Sequence, residues 1–314
     1  MLPSTRKLLI TRKHTGLGSD LISVIGALHY ASMVNRDIII DWRKSLYLNN
    51  KCVNLFPYLF DLRESIYLNS RIMIAENSFS DTELPVPRLY SKDWPFEEYH
   101  IDMLQGKNRE EMSLIVERPM HHLPDQFKQC ALLKLINPKP LLRERIDIFR
   151  NIYFTGRKVV GVHIRHGNGE ILGGKRKSFS QLTIKEIHRR ATEEIKLFSY
   201  NKPFIFLCTD SPEIKQYFRN NDKNIICYDT KLRTKGKGPL HTNQLGLPSA
   251  EDAIIEMYLL SYCNSLVYNP SWFSHFARIV TTFDFPPINI HYECNYGTMA
   301  FYHELFNKKS LLPS

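Results

Sequence analysis

No apolar run in this 314-residue sequence approaches the roughly 20 residues of a membrane span. The opening MLPSTRKLLITRKH has neither a long apolar core nor a small-residue cleavage site, so a secretory signal is not expected. The 6 Cys (Cys52, Cys130, Cys208, Cys227, Cys263 and Cys294) form no CxxC pair and no Cys/His zinc spacing. That argues against a disulfide scaffold or structural zinc and fits a reducing, cytoplasmic setting. HExxH, GxSxG and GxxxxGKS/T are all missing, which removes the zincin, serine-hydrolase and P-loop readings. No DxD-type acidic pair follows a strand, so a divalent metal has no evident ligands and none is expected. What is present is globular composition: 43% hydrophobic, 12% aromatic and 24% charged residues. The 42 Lys+Arg against 32 Asp+Glu leave a formal charge of +10, which points to an anionic partner without naming it.

At about 100–200 residues per domain, the length suggests two domains or one large one. KLLITR (7–12) reads as a buried strand, HTGLGSD as a turn, and Leu21, Val24, Ile25, Leu28 and Ala31 as one helical face. Ser19 or Asp20 is the expected N-cap of that helix. DIIIDW (37–42) is a second strand, and strand, turn, helix, strand is a βαβ unit with parallel pairing. The stretch from Asn77 to Glu97 holds Pro85, Pro87 and Pro95 and reads as loop. A helix is expected from about Pro140, with a domain boundary near 151–158.

Beyond it the strands are 158–165, 203–210, 224–229 and 265–270. They alternate with helices at 183–198 (a Thr183/Glu186 capping box), 211–221 (capped by Ser211), 249–263 (capped by Ser249) and one begun by SWFSHFAR. The expected class is α/β with two Rossmann-type domains, 1–155 and 156–314, and a ligand cleft between them.

Ligands of open parallel sheets bind beyond the carboxyl ends of the strands, so the residues there are the candidates. Gly16 and Gly18 allow either close backbone approach to a phosphate or a plain strand-to-helix turn. HIRHGNGE (163–170) puts His163 and Arg165 on one strand face with period two. Arg165 offers a bidentate fork for a diphosphate or forms a surface ion pair; His163 meets a nucleoside or is a satisfied core histidine. Asp210 and Ser211 end the 203–210 strand, and Asn269 to Ser271 end the last. The basic loops GGKRKS (173–178) and KLRTKGKG (231–238) are solvated loops or a flap over an anion. They lack interleaved aromatics, and no nucleic-acid signature appears, so a nucleic-acid partner is not expected.

HIRHGNGE (163–170), FLCTDSPEI (206–214) and EDAIIEMYLLSYCNSLVYNPSWFSHFAR (251–278) resemble, in order and spacing, the three motifs of the α1,6-fucosyltransferase family. They resemble in particular the branch of rhizobial nodulation protein Z, which fucosylates chitin oligosaccharides. TRKHTGLGSDLISVIGALHYA and IDWRKSLYL are similar to it as well. The resemblance implies a GT-B-like pair of α/β domains, a GDP-fucose donor, an oligosaccharide or glycoconjugate acceptor, anomeric inversion and no metal.

By matching, Arg165 would bind the donor β-phosphate, His163 would lie near guanine or ribose, and Glu256 would accept purine N–H groups. Asp210, Gly16 and Gly18 match positions near the nucleotide, and Ser271, Trp272 and Phe273 match the segment that reaches the phosphates. His166 and Asn168 depart from the eukaryotic pattern and leave the general base open, with Glu170 a candidate. The alternatives are a GT-B enzyme with another nucleotide-sugar donor and a non-catalytic glycan-binding protein.

Overall fold

Every residue of β1 (Leu8–Arg12) is buried, which requires cover on both faces of its sheet. The computed structural model describes residues 7–12, 16–63, 70–76, 78, 87–90, 113–116, 126–165, 181–198, 203–230, 246–269, 271–281 and 288–289. The chain forms two α/β units, Met1–Glu144 with Gln244–Ile254, and Arg145–Asn243 with Ile255–Ser314.

In the first unit β1 is followed by α1 (Leu17–Val34), β2 (Asp37–Asp41), α2 (Phe56–Leu59), β3 (Phe60–Leu62) and β4 (Ile72–Ile74). Then come β5 (Pro87–Tyr90), β6 (Ser113–Val116), α3 (Gln126–Leu133), β7 (Ile136–Pro138) and α4 (Pro140–Tyr153), which continues into the second unit. Among the described residues the sheet order is β4-β2-β1-β6-β5 with every pair parallel, and β3 pairs antiparallel with β7. The expected face of α1 is fully buried, and Leu17, Ile22, Ala27 and Tyr30 are buried too, so the helix is core almost all round. It ends where Asn35 adopts the left-handed conformation (φ 53, ψ 51), which Asn tolerates better than most residues.

The second unit contains β8 (Val159–Ile164), α5 (Gln181–Leu197), β9 (Phe204–Thr209), α6 (Pro212–Asn221) and β10 (Ile225–Ile226). It continues with α7 (Leu247–Ser261), whose start lies in the first unit, β11 (Ser265–Tyr268), α8 (Trp272–Ile279) and β12 (Ile288–Asn289). Among the described residues the order is β10-β9-β8-β11-β12, all parallel. The direction of winding reverses between β8 and β11, which makes that pair the topological switch point.

Val160, Val162 and Ile164 of β8 enter one core with Ile187, Ala191, Ile205, Leu207, Ile214, Phe218 and Val267. On the opposite face a Cβ at Gly161 would sit 3.0 Å from the Cys263 sulfur and 3.1 Å from Leu260 Cδ2, so glycine permits the close approach of the α7 end.

Four local expectations are corrected. Gly16, not Ser19 or Asp20, is the N-cap of α1: its carbonyl accepts from Ser19 N (2.9 Å) and Asp20 N (3.1 Å), and the early start buries Leu17. Ser249 lies inside α7 rather than capping it; Gly246 turns at φ +75, where side chains are strained, and its carbonyl accepts from Ser249 N at 3.1 Å. Thr183 lies inside α5, and Glu186 bonds forward to Arg189 and Arg190 instead of closing a capping box. Finally, Pro87 opens β5 at the sheet edge rather than lying in loop; proline is accepted at the first residue of an edge strand. Ser211 caps α6 as expected, accepting from Ile214 N at 3.3 Å.

Candidate functional site

With Val160, Val162 and Ile164 of β8 in the core, the period-two alternation turns His163 and Arg165 toward the other face. The register sets His163 beside Cys208 of β9 and Tyr268 of β11, and Ile164 beside Thr209. Arg165, Asp210 and Asn269 follow as the next residue on three adjacent strands, at the carboxyl rim of the switch point. Arg165 Nη1 stands 3.7 Å from Asp210 Oδ2, with side chains 23% and 6% exposed. That spacing is looser than a bidentate pair, and the guanidinium still reaches solvent.

His163 is buried, and its ring stacks on Phe273 at 4.6 Å and 11°. Its Nδ1 has no hydrogen-bond partner among the described residues. Burial, reinforced by the Arg165 charge and opposed by Asp210, pushes its pKa from 6.5 down to about 3. The imidazole is therefore neutral at neutral pH and presents a buried polar nitrogen suited to a neutral nucleoside group.

The same burial has a thermodynamic consequence. A histidine whose folded pKa is depressed favours the folded state above its unfolded pKa. That contribution is lost as pH falls from about 6.5 toward about 3. Between pH 7 and pH 5 His163 alone is expected to remove about 2 kcal/mol of stability. Urea unfolding at both pH values should show a flatter pH dependence for His163→Gln than for the parent; equal dependence would contradict the assignment.

The N-terminus of α8 faces the same rim. Ser271 caps it, its Oγ accepting from Phe273 N at 3.2 Å. Ser274 shares its hydroxyl between the carbonyls of Asn269 (3.3 Å) and Ser271 (3.1 Å), which ties the start of α8 to the end of β11. Trp272 is half-buried and packs edge-on against His275 at 5.4 Å. Glu256, half-buried on α7, lies beside the Cys208 and Cys227 thiols. Burial raises both thiols, with the Glu256 charge adding to it at Cys208, and with Lys215 and Arg219 opposing it at Cys227, so both stay protonated and weakly reactive.

In the first unit, Gly16 is the N-cap of α1 at φ −82, a conformation open to any residue, and Gly18 is buried in the first helical turn. Beside them stands a cluster that the sequence reading missed. Asp41 at the end of β2 accepts on Oδ2 from Arg12 Nε (2.8 Å) and Nη2 (2.6 Å), and on Oδ1 and Oδ2 from Arg43 Nε (2.8 Å) and Nη2 (2.9 Å). Burial alone would raise this carboxyl, but the hydrogen bonds and charges of Arg43 and Arg12 hold it below the usual carboxylate range. The signal for it was the parallel register of the first βαβ unit, which sets Arg12 opposite Asp41.

Glu170, His166, Asn168 and the basic loops 173–178 and 231–238 lie outside the described residues. Among the described residues no three His, Cys, Asp or Glu side chains group as metal ligands, and no helix is long and apolar enough to cross a membrane.

Comparison with known proteins gives a consistent result. The profile of the family described as Nodulation protein Z matches residues 5–293. The chain is 30% identical to the nodulation protein Z of Azorhizobium caulinodans over 297 residues, 88% of this chain and 90% of that one. It is 27% identical to that of Bradyrhizobium diazoefficiens over 313 residues, 93% and 82% of the two chains. Among solved structures, the fucosyltransferase NodZ from Bradyrhizobium superposes with TM-score 0.69 at 23% identity, covering 88% of this chain and 94% of that one. A NodZ α1,6-fucosyltransferase crystal soaked with GDP-fucose superposes with TM-score 0.66 at 22% identity, covering 88% and 93%. The fold is the α/β, GT-B-like one with two Rossmann-type units.

Proposed function

Because the chain belongs to the nodulation protein Z family, we propose that it is an inverting fucosyltransferase. It moves L-fucose from GDP-fucose to a hydroxyl of an oligosaccharide or glycoconjugate, most simply in α1,6 linkage. The observation that carries this assignment is the position of Arg165: a partly exposed guanidinium at the carboxyl rim of the β8/β11 switch point, beside a buried neutral His163.

In this mechanism the acceptor oxygen attacks the fucose anomeric carbon from the face opposite the nucleotide. The new C–O bond forms as the bond to the β-phosphate oxygen breaks, and GDP leaves with the electron pair. Arg165 takes the growing diphosphate charge, with the N–H groups at the Ser271–Phe273 start of α8 as a second source of positive potential. No metal is assigned to this task. His163 contacts guanine or ribose through Nδ1, Glu256 accepts purine N–H groups, and Asp210 steers the guanidinium. Gly16 and Gly18 leave the start of α1 open to close approach by a phosphate, and Glu170 takes the acceptor proton.

The 156–314 domain binds the donor, and the 1–155 domain faces the acceptor. A cytoplasmic site of action is supported by the free thiols of Cys52, Cys208, Cys227 and Cys263.

The test is an acceptor screen with GDP-fucose, chitin oligosaccharides first, reading GDP release and the linkage and anomeric configuration of the product. GDP-fucose should support turnover, and GDP should raise the melting temperature where UDP does not. No GDP release with any acceptor, or stabilisation by UDP instead, would overturn the assignment.

A further inference from the structure

β11 is bracketed by two asparagines that make similar bonds with different consequences. At its start, Asn264 Oδ1 accepts from Val159 N at 2.9 Å, while Asn264 N donates to Val159 O at 2.8 Å. At its end, Asn269 is fully buried, and its side-chain amide takes both main-chain groups of Arg165: Oδ1 accepts from Arg165 N at 2.9 Å, and Nδ2 donates to Arg165 O at 3.0 Å. The Asn269 amide thus extends the β8/β11 ladder by one residue after the backbone pairing has ended. Its own N–H donates to His163 O at 3.3 Å, and its carbonyl accepts from Ser274 Oγ. One residue therefore joins the end of β8, through its side chain, to the start of α8, through its main-chain carbonyl.

We propose that Asn269 is a positioning residue for fucosyl transfer: its amide fixes the main chain of Arg165, and so the point from which the guanidinium reaches the donor diphosphate. This rests on the donor assignment above. The main chain of Arg165 is held by β8 on one side and by this amide on the other. Without the amide, Arg165 N and O would lose these two bonds, and the guanidinium would lose a fixed origin. A displacement of about 1 Å in a group acting on the transition state lowers turnover by roughly a hundredfold. Asn264 makes its bonds at the amino end of β8, away from the rim, and is the internal control for purely structural loss.

The experiment compares Asn269→Ala, Asn264→Ala and the parent by kcat, KM for GDP-fucose, Kd for GDP and melting temperature. Assays are run below the melting point of each variant. Asn269→Ala should lower kcat about a hundredfold and weaken GDP about tenfold, whereas Asn264→Ala should melt earlier with both constants within about twofold of the parent. Should Asn269→Ala not fold, Asn269→Ser keeps a hydroxyl to accept from Arg165 N, and its kcat should fall about tenfold.

Parental kcat and GDP affinity in the Asn269 variant, or equal losses in the Asn264 variant, would overturn the proposal. If the parent binds GDP but transfers no fucose, the enzyme assignment fails by itself. Asn269 is then judged on GDP affinity: tenfold weaker upholds its role, and unchanged rejects it. A parent that does not bind GDP rejects both.

Discussion

Arg165→Ala is expected to lower fucosyl transfer about a thousandfold while the protein still folds. In an inverting displacement the leaving diphosphate gains charge in the transition state, and a preorganised guanidinium at that point stabilises the transition state more than the bound donor. The structural loss should be small by comparison. Arg165 is held through its main chain by Asn269, which the substitution does not touch, and its ion pair with Asp210 is 3.7 Å long at a partly exposed rim. Asp210, only 6% exposed, would lose a neighbour, and roughly 1 kcal/mol of stability is the scale of that loss.

Arg165→Lys keeps the charge and discards the planar fork, so its turnover should fall between those of the parent and the Ala variant. Steady-state kinetics with GDP-fucose, beside a melting curve for each variant, measures both sides. Transfer near the parental rate by Arg165→Ala would mean that the donor diphosphate sits elsewhere.

The parts legible in the sequence were those in which one physical requirement dominates. β1, β2, β8, β9 and β11 announce themselves as continuous apolar runs because helices cover both faces of a parallel sheet. The His163/Arg165 face follows from period two, and the Ser211 cap from the single polar residue before an apolar-periodic run. The caps misread at Ser19, Ser249 and Thr183 share one cause. Each has the right side chain, but helix entry was decided upstream, at Gly16 and Gly246 by backbone closure and for α5 at Gln181.

β5 escaped because Pro87 argues against a strand unless its edge position is known. Most of what the sequence withheld about the polar contacts of either unit is long-range. Arg12 and Asp41 are 29 residues apart, and Arg165 and Asn269 are 104 apart; no local pattern joins either pair. The candidate base Glu170 lies outside the described residues, so its role rests on the proposed chemistry.

Asp41→Ala is expected to destabilise the first unit by about 3–5 kcal/mol, the scale for removing one partner of a buried ion pair. Its carboxylate is 1% exposed and lies between guanidiniums that are 8% and 14% exposed. Removing it leaves two like charges close together with little water to screen them. At 2–4 °C per kcal/mol for a domain of 150–250 residues, the melting temperature should fall by roughly 10 °C.

The cost arises from stranded charge rather than from a lost attraction. The double change Asp41→Leu with Arg12→Met should therefore recover part of the loss, since it also removes one of the two cations. Acid should act on the two units over different ranges. Asp41, with its folded pKa depressed, stabilises above its unfolded value near 3.8 and loses that contribution only as pH falls below it, whereas the His163 effect begins near 6.5. Calorimetry at pH 7 and pH 5 should accordingly find the cost of Asp41→Ala nearly unchanged and the cost of His163→Gln smaller at pH 5. A loss below about 1 kcal/mol for Asp41→Ala would place the cluster among ordinary surface pairs and remove it as an anchor of the first βαβ unit.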